Sequence, residues 1–252
     1  MTDLFSINLY NYSLIFLRIG CVFMLMPGFA AMYINTQTRL IIALAVTIIL
    51  YAPISPLIPA QPSDFGLELQ YFINEITIGL FLGIIMQVLF FALNFAGSIA
   101  SQSIGFANAQ IFDPAFQSQS MLIESFFSVL ALTIIFLTDI HHLMIEALVN
   151  SYQLFPLGKN LPIGDMSAHL VQTLNHSFNF GFKLGAPFIA FTVIFYSCMG
   201  LVSRLMPQLN IFFLSLPLQI YLGLGLLFLT VPVIINVFFR YYGEGLYFFD
   251  IE

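Results

Sequence analysis

Residues 71–116 read YFINEITIGLFLGIIMQVLFFALNFAGSIASQSIGFANAQIFDPAF, and they decide what kind of chain this is. The first part, to about residue 101, is an apolar run longer than the roughly 20 residues a helix needs to cross a bilayer core. Glu75, Gln87 and Asn94 interrupt it, and such groups inside a span turn toward protein or water rather than lipid. The second part, Ala96–Phe116, carries a single formal charge, Asp113, among small, amide and aromatic residues. A greasy chain usually passes from one apolar helix to the next through a short, charged turn. A long and nearly neutral connection predicts a loop that lies against protein or inside a cavity.

Composition agrees with the first part. The 252 residues are 60% hydrophobic and 7% charged, with a mean hydropathy of +0.98. Soluble domains carry about 25% charged residues, so this chain cannot make a soluble surface of its own. It reads as an all-α, polytopic integral membrane-type protein built from long, kinked helical hairpins. Twelve acidic and six basic residues give a net charge of −6 with no basic run. That gives poor support to nucleic-acid binding and to a polybasic lipid anchor. Cys21 and Cys198 lie far apart in apolar surroundings and read as buried thiols. The N-terminal MTDLFSINLY has no cationic region or small-residue cleavage site and reads as a retained first helix.

Six apolar segments can be drawn, at about 4–26, 40–59, 71–101, 121–149, 178–206 and 211–240. If they alternate sides, Lys159 and Arg240 oppose Arg39 and Arg204, which leaves no positive-inside bias. Arg18 and Lys183 fall inside segments. Pro53, Pro56, Pro59 and Pro62 predict an extended, stiff connection after the second segment. Pro187, Pro217 and Pro232 predict kinks or breaks in the last two, tolerated where irregular backbone is buried or lines a cavity. Gly79-x-x-x-Gly83 and Gly181-x-x-x-Gly185 offer faces for close helix contact.

The most enzyme-like constellation is Asp139, His142 and Glu146, which share one helical face. Zinc sites use such spacings, while polar groups near a helix end also cap it or face water. His169 and His176 fall in an amphipathic stretch before the fifth segment, with no partner evident from the sequence. No nucleophile elbow, phosphate-binding loop or His-Glu-x-x-His motif is present. Glu75 could relay protons or pair with an Arg of a neighbouring helix. Buried acids and broken helices also fit a small-molecule or ion transporter, and the Asp139 group a membrane-embedded enzyme.

Four blocks in order carry a resemblance. They are Leu17-Arg18-Ile19-Gly20 with Met26-Pro27-Gly28-Phe29, Arg39 and Ala43-Leu44-Ala45; Glu75-Ile76-Thr77-Ile78-Gly79 with Gly83, Ala96-Gly97, Gln102, Gly105 and Asp113-Pro114; His141-His142-Leu143 through Ala147-Leu148 and Ser151 to Pro156-Leu157-Gly158; and Arg204 through Phe212 with Pro217. Over nearly its whole length the chain resembles the FliR/SctT family, the R-type subunits of type III protein export gates. The Gly105-Phe106 and Asp113-Pro114 spacing looks flagellar rather than virulence-associated.

The resemblance implies a non-enzymatic subunit without cofactor or metal, His141 standing where the family has a recurrent His. It implies assembly with P-type and Q-type subunits around a channel for unfolded flagellar proteins. Further partners would be the B-type switch subunit, the large A-type export subunit and membrane lipid, in the inner membrane within the flagellar basal body. Residues 1–177 would be P-like and 178–252 a Q-like hairpin. The loop at about 105–120 would plug the closed channel, through Gly105, Phe106, Ala107, Asn108, Ala109, Gln110, Ile111, Phe112, Asp113, Pro114 and Phe116. Gly105 would be a hinge, Pro114 would stiffen the far half, and Phe106, Ile111, Phe112 and Phe116 would seal. Arg18, Glu75, Gly79, Gly83, Met206, Pro207, Gln208 and Asn210 would serve subunit packing.

Overall fold

The structure is a computed structural model that describes residues 2–30, 34–59, 61–105, 122–208 and 211–247. Among them there are helices and turns and no strand. The order is α1 (Thr2–Leu25), α2 (Thr36–Ile54), a 3-10 turn (Ser55–Leu57), α3 (Phe65–Ile104), α4 (Leu122–Leu137), α5 (Ile140–Leu154), α6 (Ile163–Leu205) and α7 (Ile211–Leu246). Four of these are long and apolar enough to cross a membrane, and α4 with α5 would add a fifth as one broken span. The all-helical, membrane-type expectation therefore holds.

The chain divides into two compact units, neither continuous in sequence. The first comprises Met1–Leu89, Ile135–Leu174 and Gly243–Glu252. In α1, Leu14, Ile15, Arg18, Ile19, Val22 and Phe23 are all buried, as is Met26 just past its end, the stripe a 3.6-residue period produces. The stripe lies against α3 at its glycines. A Cβ on Gly79 would stand 2.6 Å from the Arg18 carbonyl oxygen, and one on Gly83 2.7 Å from Leu25 Cβ. Only hydrogen fits there, so the first glycine pair is a packing face. Tyr12 of α1 stacks on Tyr51 of α2 at 3.9 Å, and Phe81 of α3 meets Phe155, just past α5, edge-on.

The second unit comprises Phe90–Ile134 and Asn175–Tyr242. Here the end of α3 packs on α4 and α6. Asn94 accepts a 2.6 Å bond from Ser128, and a Cβ on Gly97 would lie 2.9 Å from Glu124 Cα. The second glycine pair works as the first does, since a Cβ on Gly181 would lie 2.5 Å from the Ala92 carbonyl oxygen. Helices α6 and α7 run antiparallel, with Ser177 bonded to Tyr241 at 2.7 Å near one end and Tyr196 to Gln219 near the other. Two-thirds of the most apolar stretch of α3 is buried, against 17% for α6 and 28% for α7. Of these three, α3 is the most buried, and α6 and α7 keep apolar faces open.

Several boundaries differ from the sequence reading. α6 begins at Ile163, so His169 and His176 lie inside a helix rather than before one. Nothing breaks the backbone between the amphipathic and apolar portions. The fourth segment is broken at Asp139, which has φ 59°; no glycine or proline announces that break. Pro187, Pro217 and Pro232 sit inside continuous helices. Each removes one helix hydrogen bond, and the long apolar runs around them carry the helix through. Pro53 also lies inside α2, and the 3-10 turn puts Pro56 at a helix start, so the connection after α2 is coiled before it is extended. Cys21 is half-buried and Cys198 exposed, so the second thiol is not the buried one expected.

Candidate functional site

Two polar nodes stand out inside this apolar chain, one in each unit. In the first, Arg18 is 0% exposed and Glu75 1%. Arg18 Nε donates to Glu75 Oε2 at 2.7 Å and Nη2 to Oε1 at 2.8 Å, the fork geometry that suits guanidinium to carboxylate. Nη1 donates to Ser151 Oγ at 3.2 Å, and Nη2 also to the Phe155 carbonyl oxygen at 3.1 Å. Ser151 in turn donates to the Leu148 carbonyl oxygen at 2.6 Å. The guanidinium carbon lies 3.9 Å from the centre of the Tyr152 ring, a cation–π contact. The pair thus ties α1, α3 and the end of α5 together across 57 and 137 residues of chain. The pairing of Glu75 with an Arg of a neighbouring helix is realised.

Tyr152 and Tyr10 bury hydroxyls that have no bonding partner among the described residues. An orphaned buried hydroxyl costs free energy, so the ring of Tyr152, not its oxygen, is what the node uses. Tyr152→Phe is expected to shift thermal unfolding of the detergent-solubilised chain by less than about 1 kcal/mol. A larger loss would mean that the hydroxyl is bonded.

In the second unit the node is Gln219 of α7, 1% exposed. Its amide nitrogen donates to the Ser103 carbonyl oxygen at 2.8 Å, and its oxygen accepts from the Tyr196 hydroxyl at 3.3 Å. Gly105, the first residue of the expected plug, has φ 94° and lies against this amide. The remaining expected plug residues, Phe106–Phe116, lie outside the described residues.

The Asp139 group is arranged otherwise than its spacing suggested. Asp139 stands just before α5 and makes no capping bond with its side chain. Its carboxylate lies 3.7 Å from His142 Nδ1, both well exposed. Ligand-type atoms of Asp139, His141 and His142 come within 4.8 Å of one another. Glu146 instead lines a small pocket with Leu143, Ala147, Asn150, Gly243, Leu246 and Tyr247. Asp139, His142 and Glu146 are exposed at the start of α5, and His141 is half-buried against the Phe136 ring.

Of the residues expected to serve subunit packing, Arg18, Glu75, Gly79 and Gly83 make contacts within the first unit. Met206, Pro207 and Gln208 are exposed between α6 and α7, and Asn210 lies outside the described residues. Ser103, Tyr152 and Gln219 do not stand out in the sequence, and Ser151 does so only as part of a longer block. A signal for Gln219 is nevertheless present: it is one of only two amides in the apolar α7, with Asn236, and an amide buried in such a helix has to find partners.

Residues 9–245 match the family of bacterial export proteins, family 1. The chain is 36% identical to the flagellar biosynthetic protein FliR of Caulobacter vibrioides, over 95% of each chain. It is 31% identical to the protein of that name from Escherichia coli, over 90% of this chain and 86% of that one. The Bacillus subtilis protein of the same name is 28% identical over 90% and 88%. With the match running from α1 to the last turn of α7, the chain belongs to the bacterial export proteins, family 1.

Proposed function

We propose that this chain is the R-type subunit of a flagellar export gate, a non-enzymatic part of the channel through which unfolded flagellar proteins leave the cell. The observation that carries the reading is the near full-length likeness to flagellar biosynthetic proteins from three distant bacteria. The chemistry is consistent with it. The strongest acid–base pair, Arg18 and Glu75, is buried and mutually neutralised, which leaves nothing there to act on a substrate. The open apolar faces of α6 and α7 suit partner subunits of P-type and Q-type as well as lipid. The B-type switch subunit and large A-type subunit would complete the apparatus, in the inner membrane within the basal body. The antiparallel α6–α7 contacts support a Q-like hairpin over 178–252, following a P-like part over 1–177.

In this reading Gly105–Phe116 plugs the closed channel. A seal against ions that opens for any side chain is best made of small, neutral and aromatic groups, because charges would bind water, ions or cargo. Met206, Pro207, Gln208 and Asn210 would set contacts with a neighbouring subunit at the α6–α7 turn. Tagged chain expressed with its export genes is expected to co-purify with P-type and Q-type subunits; a stable lone monomer would overturn the assignment. Deleting Ala107–Ala109 is expected to make cells carrying the assembled gate leak ions, read as loss of membrane potential. Membranes as tight as the parent's would sink the plug.

A further inference from the structure

The C-terminal end of α3 is held by a side chain rather than by its own helix. Carbonyls in the last turn of a helix have no intrahelical donors. Gly105 N–H closes on the Gln102 carbonyl at 3.1 Å, and the Ser103 carbonyl is taken by Gln219, 116 residues further along. A Cβ on Gly105 would lie 3.0 Å from Gln219 Cδ, 3.1 Å from Oε1 and 3.2 Å from Nε2. The amide therefore lies flat on the residue where the chain turns out of the helix with a positive φ. One turn along α7, a Cβ on Gly223 would meet Ile104 Cγ1 at 2.8 Å. Positions 219 and 223 share a face of α7, so the helix approaches the α3 end twice. Gln219 is further fixed by Tyr196 of α6.

We infer that Gln219 is a positioning residue that caps α3 and fixes the place and direction in which the chain leaves it at Gly105. The amide is specifically suited, because it donates to one carbonyl while accepting from one hydroxyl. Leucine does neither, and an ionised glutamate cannot donate to Ser103. With the cap removed, the Ser103 carbonyl loses its Gln219 donor and the last turn of α3 is expected to fray. The effect on conduction rests on the reading of Gly105–Phe116 as a plug, since a seal rooted in a frayed turn is not held in register. The effect on α3 does not rest on it.

The test uses the full chain in its assembled complex, comparing the parent with Gln219→Leu, Gln219→Glu, Tyr196→Phe and the Ala107–Ala109 deletion. Two quantities are read: ion leak, and amide hydrogen exchange at Ile104 and Gly105. Gln219→Leu and Gln219→Glu are expected to speed that exchange about tenfold, the change expected when one buried carbonyl loses its donor, and to leak while co-purifying normally. Exchange at the parent rate in both overturns the inference. If the deletion leaks and the Gln219 variants do not, Gln219 does not position the plug, although the plug stands. If the deletion stays tight, the plug reading falls and the exchange rates alone decide whether Gln219 caps α3. Should Gln219→Leu fail to assemble, Tyr196→Phe carries the same measurement, and unchanged exchange there counts against the inference.

Discussion

Arg18→Ala is expected to destabilise the folded chain by about 3–5 kcal/mol, because it leaves a buried carboxylate without its counter-charge. Glu75 is 1% exposed, so water cannot replace the lost partner. The Ser151 hydroxyl and Phe155 carbonyl lose their donors at the same time, and the Tyr152 ring loses its cation. The expected readouts are a large fall in full-length chain recovered from membranes and early unfolding on heating in detergent. A parent-like Arg18→Ala would show that the network is incidental. Replacing both members, Arg18→Met with Glu75→Leu, is expected to recover most of the loss, since a well-packed apolar pair often matches a buried ion pair in stability. A double variant as poor as the single one would mean that the charges matter beyond their mutual neutralisation.

Gly79→Ala and Gly181→Ala are each expected to lower stability by about 1–3 kcal/mol, the usual cost of overpacking a filled contact. In both cases the new methyl would meet a backbone carbonyl, at 2.6 Å on Arg18 and 2.5 Å on Ala92. Backbone cannot swing aside as a flexible side chain can, so the helices themselves must separate. Gly79→Ala also disturbs the residue that carries the guanidinium, so its effect is expected to be the larger. The control is internal to the chain. Gly200 and Gly225 sit in α6 and α7, and a methyl added to either would find nothing within 4 Å. Alanine at either is expected to be neutral or to stabilise by up to about 1 kcal/mol through helix propensity alone. Thermal unfolding of the four variants side by side would sort them; equal effects would remove the packing argument.

The elements most legible in the sequence were those set by hydropathy. The six apolar segments correspond to α1, α2, α3, the α4–α5 pair, α6 and α7, because long apolar runs have little choice but helix. Less legible was where a helix stops. His169, Gln172 and His176 make residues 163–177 look like a separate amphipathic piece, yet no breaker divides them from the apolar part of α6. The break at Asp139 has the opposite character, a reversal of backbone hand at a residue with no glycine beside it. The Arg18–Glu75 pair could be anticipated because a buried acid needs a base and few bases are available. The bonds of Gln219 and Ser151 could not, since their partners include backbone carbonyls, which every residue carries.

The length of α6 has a consequence for how such a chain persists in a cell. Its 43 residues extend about 65 Å at 1.5 Å per residue, roughly twice the thickness of a bilayer's hydrocarbon core. Only 17% of its most apolar stretch is covered by the chain itself. Lipid suits its apolar part and water the polar face of residues 163–177, but neither suits the whole length. A copy made in excess has no single surroundings suited to α6 along its length, and is expected to become material for membrane proteolysis. Its lifetime is then governed by the supply of other chains to cover it, which makes the balance of synthesis, rather than the strength of this fold, the quantity a cell has to control.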